Sequence, residues 1–425
     1  MPDSSKWSDD TFLDSLRILG DKKADECVSQ LIAEGHESDF HMVFRKMNSN
    51  VEDLPEGLPS RLAAFFSSTS GLPESVDGAP VDMARLKRGG TAFLRHAFTG
   101  SSVLIAKSLP EGYAAPNLSI ILQMSDNLSQ RPFKRLLGVL QMVINLCQSD
   151  AFEEKGNAIV TAQKLRLLHA GVRFIAAHPE ERLKGYPDGY PDLENFQKQY
   201  GVVVCLEDML GTIMGFSWLM IEGLRTLDVG MTSEEEEDYY YLFRVFAQLM
   251  GIHPEGQPDS SEFIPSNLSE AKAFYDSYQR RHYVPAEENP EGVILAQANI
   301  DMMNRLLPQT PLRRLGLKIV PRILMQELCG KEGMVRVGVK PVLFLPVTKT
   351  MIRLLLVVWR KVWKQADKSK SLKKLHEKLS AIFFQKLINI ERGGEVTFRI
   401  PQDLQDLREL AGEKSPAGTN REPNG

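Results

Sequence analysis

Apolar residues recur at three- and four-residue spacing along most of the chain, which is the period of an amphipathic helix. The spacing predicts helices over Pro132–Leu146, Thr161–Ala177, Leu206–Leu227, Ser233–Met250, Leu268–Tyr283, Pro311–Leu328 and Lys370–Ile390. Val202–Val204 and Val335–Val339 are the β-branched runs, and both are short. Thr232-Ser233 followed by Glu234 to Glu237 gives one helix a hydroxyl cap and places carboxylates at the positive end of its dipole. Ser266 to Glu270 reads as a similar start. Glycine and proline gather in three loop zones, Asn48–Pro80, Lys184–Asp192 and Gly251–Pro265. No repeat emerges, and no composition shift divides the chain. The expected fold class is all-α, a single large helical bundle.

Composition narrows function mainly by exclusion. The 425 residues are 43% hydrophobic and 25% charged, the balance of an ordinary globular protein rather than a fibrous or disordered one. Lys and Arg number 51 against 55 Asp and Glu, so no basic excess points to nucleic acid. Cys27, Cys147, Cys205 and Cys329 form no CxxC pair, which argues against a thiolate zinc site and a disulfide framework. Met1–Asp10 lacks the basic and apolar regions of a secretory signal, so a cytoplasmic location is expected. No run is long and uncharged enough to span a bilayer. Met351–Lys374 mixes Leu354, Leu355, Leu356, Trp359 and Trp363 with many basic residues. It suits peripheral contact with an anionic membrane, or a core helix whose basic side chains reach out to solvent.

The candidate chemistry lies in Gln163–Ala177. Leu165, Leu168, His169, Val172, Ile175 and Ala176 share a stripe, which turns His169 toward the packed side. Arg166 and Arg173 stand one turn before and one turn after it. Burial and adjacent positive charge both disfavour imidazolium, leaving a lone pair for a metal. The two arginines suit a dianionic cofactor rim such as the carboxylates of a haem. A hydrogen-bonded core histidine is the competing account. No second histidine stands at metal spacing, and a haem needs only one protein ligand.

The segment Lys164–Arg173, KLRLLHAGVR, resembles the His-Ala-x-Val-Arg helix of the rubber oxygenase and mycophenolic acid oxygenase superfamily. Leu206–Ser217 is similar to the family's Glu-Asp helix, and Thr232–Ile252 to its acidic start and Leu-x-Gly-Ile finish. Leu58-Pro59, Phe65-Phe66, Lys87-Arg88-Gly89, Ser108-Leu109, Tyr113 and Arg135-Leu136 follow the family's order. The resemblance implies a globin-like helical core holding haem b, with His169 as proximal ligand, Arg166 beside it and Arg135 on the haem-pocket helix. It also implies oxidation of an unsaturated apolar substrate, isoprenoid or lipid-like, by dioxygen. On this reading residues 1–54 form an N-terminal helical appendage and 55–330 the haem domain. Residues 331–411 form a C-terminal helical extension packed on the core, and 412–425 a frayed tail.

The sequence also departs from the family. Latex clearing proteins carry a lysine and a threonine where Gly138 and Val139 stand, and an acidic residue near Ser119. Asp126 and Glu207 are the substitute acids to weigh, each equally readable as a cap or surface charge. Besides an oxygenase, the sequence therefore leaves open a haem-binding protein without turnover and a helical interaction or membrane-surface protein.

Overall fold

Among the described residues, the helical periodicity is realised as helices. The computed structural model describes residues 4–35, 59–125, 132–178, 193–253, 263–306 and 317–342. Among these, the first helices are α1 (Asp10–Arg17), α2 (Lys22–Ala33), α3 (Ser60–Ser68) and α4 (Met83–Arg95). There follow α5 (Ala97–Val103), a π-helical turn (Leu104–Ser108), α6 (Leu109–Tyr113), α7 (Pro116–Ser125), α8 (Pro132–Leu146) and α9 (Asn157–Ala177). The rest are α10 (Leu193–Tyr200), α11 (Leu206–Phe216), α12 (Trp218–Thr226), α13 (Ser233–Leu249), α14 (Leu268–His282), α15 (Pro290–Leu306) and α16 (Val320–Arg336). The only β-pairing among the described residues is an isolated bridge between Val76 and Ala79. None of these helices is long and apolar enough to cross a membrane.

The centre is α13, buried without interruption from Asp238 to its end. It begins as expected: the Thr232 side chain accepts from the Glu235 N–H while the Glu235 carboxylate accepts from the Thr232 N–H. The acidic run then grips neighbours. Glu235 binds Arg95, Glu236 takes Arg225 with both oxygens, and Asp238 receives Arg85 and Arg88. Against this helix lies α4, and the contact is backbone to backbone. A Cβ at Gly89 would overlap the Asp238 carbonyl, and one at Gly90 the Cys147 carbonyl. Gly89-Gly90 is thus a helix-packing device.

Elsewhere tertiary contacts override local pattern. Leu206–Leu227 is two helices, broken at Ser217, whose hydroxyl donates to the Ile213 carbonyl at 2.7 Å. Val202–Val204 is a turn, with Gly201 at φ 81° and Val204 at φ 53°. Val335–Val339 is the end of α16, closed by Gly338 at φ 69°. Asn267, rather than Ser266, caps α14, its side chain accepting from the Ser269 and Glu270 N–H groups. α3 stands inside the first loop zone, and a 3-10 turn (Leu317–Ile319) precedes α16 where the Pro311–Leu328 helix was expected. Lys184–Asp192, Lys370–Ile390, 351–374 and 412–425 lie outside the described residues.

The N-terminal helices join this core on two sides. Trp7, Leu13 and Leu16 belong to the main apolar cluster around α13. Ala24, Val28 and Leu31 of α2 and Leu62, Phe65 and Phe66 of α3 form a second cluster with Leu167 and Ala170 of α9. The histidine helix is therefore sandwiched between the main core and the N-terminal pair.

Candidate functional site

Helix α9 positions the candidate residues, and its faces explain their surroundings. Ala158, Ile159 and Ala162 pack into the main core, and Leu167 and Ala170 against α2 and α3. His169 lies on the same helix, one turn before Arg173. It is half-buried as a residue, yet Nδ1 is fully enclosed and has no hydrogen-bond partner among the described residues. Burial pushes the imidazole pKa down to about 3, Arg173 adds to the effect and Asp21 opposes it. His169 is neutral at physiological pH and keeps a lone pair. A core histidine is normally hydrogen-bonded at its enclosed nitrogen, so packing alone does not account for this one.

The flanking arginines are already engaged. Arg166 forms a fork with Asp21, Nε to Oδ2 at 2.6 Å and Nη2 to Oδ1 at 2.9 Å, and Nη1 donates to the Leu249 carbonyl. Arg173 gives Nε to Asp25 Oδ1 at 2.7 Å and Nη1 to the Val204 carbonyl at 3.1 Å, leaving Nη2 enclosed and unpartnered. Both guanidiniums are thus held by α2, with one donor group left over on Arg173. Their partners, Asp21 at the cap of α2 and Asp25 one turn on, went unread in the sequence. The signal was there in two carboxylates four residues apart, but nothing local says which helix they face. Lys164, two residues before Arg166, is buried, with its pKa pushed down to about 8 by desolvation.

Helix α8 packs beside α9 and carries the remaining candidates. Arg135 belongs to this helix, and its side chain lies outside the described residues. Gly138 is buried and Val139 half-buried. One turn on, Gln141 is buried, donates to Asn145 Oδ1 at 2.6 Å, and leaves its own Oε1 without a partner.

The acids considered as bases are placed elsewhere or spent. Asp126 lies outside the described residues. Glu207 is completely buried among Arg17 at 2.9 Å, Arg281 at 3.0 Å and His282 at 3.0 Å. Burial raises its pKa, but the His282 hydrogen bond and the surrounding charges outweigh that and hold the carboxyl below its ordinary range. Adjacent Asp208 receives Arg17, Asn117 and Tyr278. Glu207 and Asp208 therefore anchor α1 and α14 to α11. Ser119 donates to Asn289 Oδ1 at 2.7 Å within the cap of α15. Among the described residues, no three His, Cys, Asp or Glu side chains are grouped to hold a metal ion.

Residues 94–338 match the family described as ER-bound oxygenase mpaB/B'/Rubber oxygenase, catalytic domain. A rubber oxygenase of Streptomyces sp. (strain K30) is 22% identical over 288 residues, 67% of this chain. The chain spans 64% of the length of that curated relative. The structure of latex clearing protein LCP in the closed state shares the fold, with a TM-score of 0.62 and 19% identity over 93% of this chain and 90% of that one.

Proposed function

Because the chain belongs to the family of ER-bound oxygenases of the mpaB/B' type and rubber oxygenases, matched through their catalytic domain, we propose that it is a haem b-dependent oxygenase with His169 as the proximal iron ligand. Its substrate on this reading is an unsaturated apolar molecule, isoprenoid or lipid-like, used together with dioxygen. The observation that carries the proposal is the state of His169: neutral, half-buried, and without a hydrogen bond at its enclosed nitrogen. These properties fit an axial imidazole, which must be uncharged and must offer a ring nitrogen to the iron.

Haem, when bound, supplies the activation of dioxygen. The chain's own contribution is to hold the imidazole neutral and to place it on a helix packed from both sides. Of the flanking arginines, Arg166 is saturated by Asp21 and the Leu249 carbonyl, and Arg173 retains one donor for a cofactor carboxylate. Arg135, in the matched domain, is the candidate for the facing helix. The named relative acts on rubber; for this chain a smaller isoprenoid or lipid is proposed.

Gly138 and Val139 favour a second reading, a haem protein without oxygenase turnover, because neither side chain can donate a proton or a hydrogen bond. Two measurements separate the accounts. Purified full-length protein supplied with haem should show a Soret band and consume oxygen with one or more members of a panel of unsaturated isoprenoids and fatty acids. Full haem loading with no oxygen consumption across the panel selects the second reading. Absence of a Soret band overturns both.

A further inference from the structure

We propose that Asp21 and Asp25 are positioning residues for His169, so that a segment outside the matched catalytic domain completes the site; this rests on the haem reading above. Helix α9 is held at two points that bracket the histidine. Arg166 and Arg173 are seven residues apart, about 10 Å along the axis, with His169 between them. Arg166 meets Asp21 as a two-bond fork, and Arg173 meets Asp25 at 2.7 Å. One attachment would let the helix swivel, whereas two fix both its rotation and its register. A slip of one residue turns every side chain by about 100° and would draw both guanidiniums off their carboxylates.

The same short segment is tied down at its other end. The Arg17 carbonyl accepts from the Val202 N–H at 2.9 Å, and the Leu19 carbonyl from the Leu206 N–H at 2.9 Å. Arg173 closes the circuit by donating to the carbonyl of Val204, the non-glycine residue at positive φ in that turn. Residues 17–25 thus link α9 to the start of α11, while the family match begins only at residue 94. Neither aspartate hydrogen-bonds the imidazole, whose Nδ1 has no partner. Their action on it runs through the arginines and the helix.

The test is Asp25→Asn in the full chain reconstituted with ferric haem, compared with Asp77→Asn. Asp77 is a matched control: it is 41% exposed and pairs with buried Arg244, as Asp25 is 33% exposed and pairs with buried Arg173. Haem loss to an excess of apo-globin, the ligand-field absorbance and the apo-protein melting temperature are all recorded. Both variants should melt earlier than the parent. Only Asp25→Asn should release haem faster, by about tenfold, with altered ligand-field bands. If Asp25→Asn fails to fold, Asp21→Glu, which keeps the charge but displaces the fork, should also speed haem loss. Haem loss from the Asp25 or Asp21 variant no faster than from Asp77→Asn overturns the inference while leaving His169 as ligand intact. A parent protein that takes up no haem overturns the haem reading, and this inference with it.

Discussion

Helices α13 and α9 are both buried and both rich in polar residues, yet they settle those groups differently. On α13 the polypeptide satisfies nearly everything. Asp238 has an arginine on each oxygen, Tyr239 donates to the Phe216 carbonyl, Tyr240 donates to the Pro265 carbonyl, and Arg244 leaves only Nε over. On α9, His169 Nδ1 and Arg173 Nη2 are enclosed without partners among the described residues, and Lys164 is buried with its pKa lowered by desolvation. Unsatisfied buried polar atoms are costly, and native proteins keep few of them. Such atoms occur on other helices too; on α9 the two stand one turn apart, on the histidine and on an arginine beside it.

This contrast predicts opposite responses to mutation. The largest loss is expected on α13: Phe243→Ala should cost about 3–5 kcal/mol, because the ring is fully enclosed in the main cluster. Denaturant titration measures it, and a loss below 1 kcal/mol would show that α13 is not the keystone. Next comes Glu207→Gln, expected to cost about 3 kcal/mol at neutral pH by leaving Arg17 and Arg281 without their shared buried carboxylate. Since the folded pKa of Glu207 is lowered, its stabilisation is present above the ordinary carboxylate pKa near 4.5 and lost as pH falls below it. The gap between parent and variant should therefore close in acid, and a constant gap would remove Glu207 from the acid response. Thr232→Ala, which opens the α13 capping box, should cost about 1 kcal/mol. The smallest effect belongs to α9. His169→Leu should leave the stability of the haem-free protein unchanged within about 0.5 kcal/mol, or raise it, because the ring makes no hydrogen bond there to lose.

The same contrast explains what could be read from the sequence. Element type was legible because apolar spacing is a local signal, and Thr232 to Glu235 announced its own cap. Tertiary choices were not. Val202–Val204 has the composition of a strand, yet carbonyls from Arg17 and Leu19 and the reach of Arg173 hold it as a turn. Ser217 breaks a helix that periodicity alone would continue. Gly89-Gly90 gave no hint that two backbones meet there. At the site, His169 stood out because a histidine on an apolar stripe violates the local pattern. The fate of its arginines depended on Asp21 and Asp25, more than 140 residues away, and no local spacing encodes that pairing.

The most direct test of the central claim is a haem titration followed by absorbance, comparing the full chain with His169→Ala. The account predicts one-to-one uptake with a Soret band in the parent, and no retained haem in a variant whose circular dichroism and melting temperature match the parent's. Haem retained by His169→Ala with the parent's affinity and spectrum would contradict it, and would place the ligand elsewhere in the chain.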